Sequence, residues 1–412
     1  MSTTARTRTR VRSMPVADPG PLLDILPDDQ IVTWTRGNDG FAAWGEAGRL
    51  TVSGPGRFAE AATWWREFVG SLDIDDQVHV PGSGPVAFAS FTFDDGPSSS
   101  VVIVPEVIVG RRDGASWITT IGDADPNLAH RSPVRAAGQV RYSDGAVTSA
   151  GYEQAVAMAV QRINEGALDK VVLARDLLAT TENPLDPRAL LGPLSRTYPS
   201  CWTFAVDGLV GATPELLVRR TGDHVVSRVL AGTTPRGSDA VVDAQHAADL
   251  LASDKDRVEH ELAVRSVSET LGPFCSDLVV PRSPEVMRLA NVQHLQTDIT
   301  GRLANGESAL DLAAALHPTA AVCGTPTGKA RALIRELEGM DRGRYAGPVG
   351  WIDSRGDGAF GIALRCAQIE HDDEHSLRMY AGCGLVGGSV PTDELAESQT
   401  KLLAIRDALE SR

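Results

Sequence analysis

Apolar and polar positions alternate between residues 31 and 53 around Trp34, Phe41 and Trp44, a period of two that predicts two short strands. From 56 to 70 the period changes. Phe58, Ala61, Ala62, Trp65 and Phe68 fall on one helical face. Strands are then expected at 85–94, 101–111 and 116–121, and a strong helix at 151–167. Beyond it, apolar runs bounded by turn residues predict strands at 170–178, 201–206, 209–219, 224–231, 277–288, 291–302, 347–353, 357–369 and 375–385. Helical spacing predicts helices at 186–196, 240–251, 255–271, 308–316, 327–338 and 391–410.

Many successive strands are joined by short polar turns, such as Thr221-Gly222-Asp223 and Arg355-Gly356-Asp357-Gly358. Short turns suit antiparallel pairing, because parallel strands need long crossovers. No stretch rich in Pro, Gly or Ser divides the chain, and no internal repeat is evident. The expectation is one large α+β domain over residues 21–412.

A net charge of −15 argues against a general nucleic-acid or anionic-membrane binder, while leaving room for a local basic pocket that takes an anionic metabolite. Five widely spaced cysteines, without a C-x-x-C pair, indicate neither a disulfide framework nor a zinc ribbon. No apolar run reaches membrane-span length, and no signal-peptide core opens the chain. A cytoplasmic protein is expected. Arg6, Arg8, Arg10 and Arg12 alternate with small polar residues near the N-terminus; a disordered leader over residues 1–20 is preferred to a transit peptide.

Two nucleotide-like motifs lack the context they require. Gly382-Cys383-Gly384-Leu385-Val386-Gly387 spells G-x-G-x-x-G, but Ser389, Val390 and Pro391 delay the helix, and too little chain follows for a dinucleotide fold. Gly324-Thr325-Pro326-Thr327-Gly328-Lys329-Ala330 is one residue short of a P-loop and carries Ala330 where a Mg²⁺-binding hydroxyl belongs. It reads as a loop entering a helix.

Asp256 and Glu259, and likewise Glu394 and Glu397, sit three apart on predicted helices, with Lys401 one turn beyond Glu397. Spacing alone favours two solvated faces; hard Mg²⁺ ligands are the alternative. Lys170 opens an apolar strand as an ordinary charged end or, if desolvated, a base. Glu215 lies between a small-residue turn and an apolar run, as a plain strand-start residue or, if buried, a general acid. Nine histidines without ligand spacing argue against zinc, and no G-x-S-x-G elbow is present.

In order along the chain, Lys170-Val-Val-Leu-Ala-Arg175, Ala212-Thr-Pro-Glu-Leu216, Leu230-Ala-Gly-Thr233, Lys255-Asp-Arg-Val-Glu-His260 and Val292-Gln-His-Leu295 resemble blocks of the chorismate-utilising enzymes. Leu316-His-Pro-Thr319, Tyr345-Ala-Gly-Pro-Val-Gly-Trp351, Ala363-Leu-Arg365, Ala381-Gly-Cys-Gly384 and Glu394-x-x-Glu397-x-x-x-Lys401 continue the likeness. The resemblance is strongest over residues 150–410 and, within the family, points to isochorismate synthases. It implies antiparallel sheets packed face to face with helices outside, and a monomer. By the same resemblance, Glu259 and Glu397 would hold Mg²⁺, with Asp256 and Glu394 acting behind them through water. Gly382, Gly384 and Lys401 would complete a site for the ring carboxylate of chorismate, while Tyr345 and Arg365 would meet the enolpyruvyl carboxylate. Gly232, Thr233, His294 and Ala321 match other pocket positions. Lys170 would take a proton from water attacking ring carbon 2, and Glu215 would protonate the hydroxyl leaving carbon 4.

Relatives that add ammonia often carry glutamine at the position of Lys170, and aminodeoxychorismate synthases a lysine at that of Ala231. Salicylate synthases, which go on to eliminate pyruvate, tend to carry threonine at the position of Ala321. The resemblance therefore implies conversion of chorismate to isochorismate, feeding menaquinone or siderophore synthesis. Salicylate synthase and a catalytically silent chorismate binder are the alternatives. Cys323, Cys383 and Thr234 depart from the residues usual in the family.

Overall fold

A computed structural model describes residues 8–126 and 132–411. Its strands form two sheets that differ in what they face. In the larger, the order from one edge is Val140–Asp144, Lys170–Thr181, Ser376–Leu385, Cys366–Ile369, Leu209–Thr213 and Trp202–Val206. It continues through Ile31–Arg36, Asp39–Trp44, Val107–Arg112, Ala115–Ile121, Thr9–Pro15 and Leu72–Asp76. The short strand Gly324–Thr325 adds antiparallel to Lys170 and Val171. The second sheet runs Cys275–Val279, Val292–Leu303, His224–Pro235, Leu216–Thr221, Gly358–Ile362, Pro348–Asp353, Val86–Ser90, Ser100–Val104 and Gly48–Val52, with Glu285–Arg288 also on Val292–Leu303. Pairing is antiparallel throughout, except where Thr9–Pro15 runs parallel to Leu72–Asp76.

Inner faces of the two sheets share one core. Phe41 from the larger sheet meets Trp351 and Phe88 from the second edge to face, at centroid distances of 4.9 and 5.7 Å. A second apolar cluster covers the outer face of the larger sheet. There Leu190, Leu191 and Leu194 of the helix Pro187–Thr197, with Leu402, Ile405 and Leu409 of the helix Pro391–Glu410, pack on Val210, Ala367 and Met379. The expected α+β architecture, with antiparallel sheets face to face and helices outside, is what forms. No helix among the described residues is long and apolar enough to cross a membrane.

Three continuous runs read as single strands are each two strands in different sheets. The run 101–111 breaks at Pro105-Glu106, 209–219 at Pro214-Glu215, and 357–369 at Ala363-Leu364-Arg365. Both flanks are buried, so the apolar pattern continues across the crossing. A further crossing between Asp39–Trp44 and Gly48–Val52 makes three strands of the two expected over 31–53. The run 277–288 also divides, at residues 280–284, where Pro281 and Pro284 withhold backbone donors.

The leader expected over residues 1–20 is not what the structure shows from residue 9 onward. Thr9–Pro15 is a strand paired on both sides, with Val11 and Ser13 fully buried between exposed arginines. The alternating arginines are the outward face of that strand; residues 1–7 lie outside the described residues.

Candidate active site

Two sheet crossings lie side by side and turn their side chains into one cavity. One carries Glu215 and the other Arg365. The backbone NH of Ile362 donates to the Glu215 carbonyl at 3.2 Å, that of Ala212 to the Arg365 carbonyl at 3.1 Å, and Thr213 Oγ1 to the Ile362 carbonyl at 2.6 Å. Ala346 and Ala363 bind across to the same corner, which fixes the neighbouring Tyr345. Arg365 adopts φ 48°, left-handed backbone that is strained for a long side chain and is held by these bonds.

The cavity is lined by Glu215, Gly232, Thr233, Glu259, His294, Ala321, Tyr345, Arg365, Gly382, Gly384, Glu397 and Lys401. Lys170 stands behind Glu259, fully buried, with Nζ 3.2 Å from its Oε1. Asp256 and Glu394 do not line the cavity. Asp256 accepts from Ser253 Oγ, and buried Glu394 pairs with Lys255 Nζ at 2.7 Å. The helix carboxylates are thus not the solvated faces that spacing alone favoured.

Burial raises the pKa of Glu215 to about 8, against the pull of Lys170, Arg365 and Lys401. Burial also pushes Glu397 upward, but Lys401, with Nζ 2.6 Å from Oε1, and then Lys255 and Arg365 outweigh it and hold Glu397 below the ordinary value. One cavity therefore holds an acid kept protonated near neutral pH and another kept ionised.

Burial, reinforced by Arg365 and Lys401, keeps His294 far below its ordinary pKa and hence neutral. Arg365 Nη2 lies 3.0 Å from His294 Nε2; because the guanidinium can only donate, Nε2 accepts and the proton sits on Nδ1. Nδ1 faces the Gly232 carbonyl at 3.3 Å and Thr233 Oγ1 at 3.1 Å. Gly232 supplies that carbonyl from a β-bulge at φ 76°. Arg365 Nε is buried without a partner, an orphan donor in a cavity edged by cations. Tyr345 stacks on Tyr380 at 5.0 Å, nearly parallel.

A hard divalent cation fits the carboxylates of this site. A Cβ on Gly384 would stand 1.9 Å from Glu259 Oε1, so the missing side chain is what lets that carboxylate in. Glu397 is ionised and shares a potential ligand cluster with Glu394 and Cys383. The cysteine is a poor partner for a hard ion. Its thiol, raised far above the ordinary pKa by burial and then by Glu397, lies 3.2 Å from the Glu394 carbonyl.

Arg342, which no sequence pattern singles out, also lines the cavity. The only hint of it is the run Arg342-Gly343-Arg344 directly before Tyr345, charge where an apolar approach would be usual. Lys255 was seen only as part of a block, without its role as partner of Glu394.

A family model described as chorismate binding enzyme matches residues 28–410. An isochorismate synthase, DhbC, of Bacillus subtilis is 38% identical over 339 residues, covering 79% of this chain and 81% of that protein. A putative isochorismate synthase, MenF, of Mycobacterium tuberculosis is 48% identical over 257 residues, covering 60% of this chain and 68% of that protein. Among solved structures, the menaquinone-specific isochorismate synthase MenF of Escherichia coli superimposes with a TM-score of 0.80 at 25% identity, covering 98% of this chain and 95% of its own. A putative 2,3-dihydroxybenzoate-specific isochorismate synthase of Bacillus anthracis gives 0.79 at 32% identity, covering 95% and 99%.

Proposed function

This chain belongs to the chorismate binding enzymes, and from that premise we infer that it is an isomerase converting chorismate to isochorismate. The observation that carries the reading is Glu215, protonated near neutral pH, in a cation-rich cavity whose wall holds Glu259 with Lys170 paired behind it. Arg365 and Lys401 suit the two carboxylates of chorismate, and the orphan Nε of Arg365 leaves a donor for one of them.

Water adds to ring carbon 2 as its proton passes to Lys170. The ring double bonds shift, and the carbon–oxygen bond at carbon 4 breaks as Glu215 gives its proton to the departing hydroxyl, which leaves as water. One water enters and one leaves, so the reaction is an isomerisation. With its pKa raised to about 8 by burial, Glu215 keeps its proton near pH 7. Neutral His294 fixes the Arg365 fork through Nε2. Mg²⁺, which Glu259 and Glu397 would hold with Asp256 and Glu394 behind them, would supply positive charge to offset and orient the ring carboxylate. By resemblance, Gly382 and Gly384, which line the cavity, would complete the site for that carboxylate with Lys401. A monomer working in the cytoplasm, feeding menaquinone or siderophore synthesis, is proposed on resemblance alone.

The test is incubation with chorismate and Mg²⁺, with products followed by NMR. Isochorismate alone is expected and should vanish with a chelator. Salicylate with pyruvate would identify a salicylate synthase, and absence of turnover in folded protein a silent binder. Alanine at 321 and the acid–base pair speak for the first outcome.

A further inference from the structure

Among the described residues, the strand that carries Lys170 has a gap along one edge, between Val140–Asp144, which pairs with Leu177–Thr181, and the short strand at its start. Gly324–Thr325 pairs with Lys170 and Val171 only, and the NH of Val172 then donates to the Cys323 carbonyl at 2.8 Å. Beyond that point two buried side chains take over. Arg342 Nη2 donates to the Val172 carbonyl at 2.7 Å, and the NH of Ala174 donates to Glu338 Oε1 at 2.8 Å. The same guanidinium donates through Nη1 to the Val322 carbonyl at 2.8 Å, in the cavity wall beside Ala321. Its Nε reaches Glu338 Oε2 at 2.9 Å, and Nη2 also contacts Oε1. Both side chains are almost wholly buried, at 2–3% exposure.

We propose that Glu338 and Arg342 form a positioning pair for the reaction, bridging the gap between the two strands on this edge so that Lys170 and the Ala321–Val322 wall keep fixed places relative to each other. The inference rests on the isochorismate-forming reading. An ion pair used only for stability would not need its hydrogen bonds divided between two separate backbone segments, the Lys170 strand and the cavity wall at Val322. A buried pair is also weak as pure stabilisation, since removing two charges from water costs about what their attraction returns. What this pair adds is direction. The planar fork here makes four bonds, two to one carboxylate and one to each of two carbonyls, and an ammonium has three donors and no fork.

Arg342→Lys keeps the charge opposite Glu338 and loses the fork. Glu338→Gln keeps the shape and the acceptor for Ala174 and loses the charge. In the purified full chain, kcat and KM for chorismate are measured beside the melting temperature and the hydrogen exchange of the Ala174 amide. For Arg342→Lys the expected result is a kcat lower by about tenfold or more, because small displacements of reacting groups carry penalties of that order. KM should stay within about threefold and the Ala174 amide should exchange faster. Glu338→Gln should fall between this variant and the parent, and it carries the test if Arg342→Lys does not fold. Parental kcat in a folded variant, or loss of folded protein with unchanged kcat per folded molecule, overturns the proposal. If the parent forms no isochorismate, the functional reading fails separately. The positioning claim then stands or falls on the exchange of Ala174, and equal rates in parent and variant overturn it.

Discussion

Replacing Gly384 by alanine should remove activity while sparing the fold. The new Cβ would stand 1.9 Å from Glu259 Oε1, 2.7 Å from its Cδ and 3.1 Å from Lys170 Cε. Ordinary contact begins near 3.4 Å, so the carboxylate must retreat by roughly 1.5 Å. The carboxylate ends a flexible side chain, and Gly384 does not need a left-handed backbone, so the fold can absorb the methyl at about 1–3 kcal/mol. The site cannot absorb it so easily. Glu259 is at once the neighbour of Lys170 and a proposed metal ligand, and misplacement by about 1 Å can cost 100-fold. Steady-state isochorismate formation, measured over a Mg²⁺ titration and beside a melting curve, should show kcat down by about 100-fold and a higher Mg²⁺ requirement. Parental turnover and Mg²⁺ dependence in folded Gly384→Ala would refute the claim that this carboxylate must occupy the space the glycine leaves.

Further outcomes are expected at Glu215, Lys170 and Arg365. Glu215→Gln should abolish turnover; parental turnover should decline as pH rises through about 8, when the acid loses its proton. Because the folded pKa lies above the ordinary value of 4.5, the stability tied to the protonated form is full below 4.5 and lost as pH rises towards 8; Glu215→Gln should therefore gain in melting temperature on the parent over that span. Lys170→Gln should reduce turnover to near zero while chorismate binding, followed by calorimetry, stays close to parental. Arg365→Lys should raise KM about tenfold or more by losing the planar fork that faces His294, with a kcat change smaller than that for Lys170→Gln.

Element types were largely legible in the chain because period two and period 3.6 are imposed by burial on one face. The helices Arg57–Gly70 and Pro391–Glu410 fall within a residue of expectation. Sheet crossings were not legible. A strand leaving one buried face for another keeps its apolar pattern through the turn, so Thr213–Leu216 and Ile362–Cys366 read as unbroken strand. Those two crossings carry Glu215 and Arg365, which is why the residue pattern could name Glu215 but could neither single out Arg365 nor place the two together. Resemblance supplied that step, and the structure shows its local cause in the bonds that lock one corner to the other. The strand Thr9–Pro15 was hidden because alternating arginines on a strand look like a charged leader until its partner strands are known. Arg342 was missed because its role depends on two backbone carbonyls, those of Val172 and Val322, that meet only in the folded chain.

The central claim is that water adds at carbon 2 while the carbon 4 hydroxyl departs, and its most direct test is turnover in H₂¹⁸O. Product isochorismate should carry one ¹⁸O, placed at carbon 2 by the isotope shift in its ¹³C spectrum, with the enolpyruvyl and carboxylate oxygens unlabelled. Isochorismate whose carbon 2 hydroxyl holds no label would mean that the original hydroxyl migrated within the molecule, contradicting the assignment of Lys170 and Glu215 as base and acid toward two different waters.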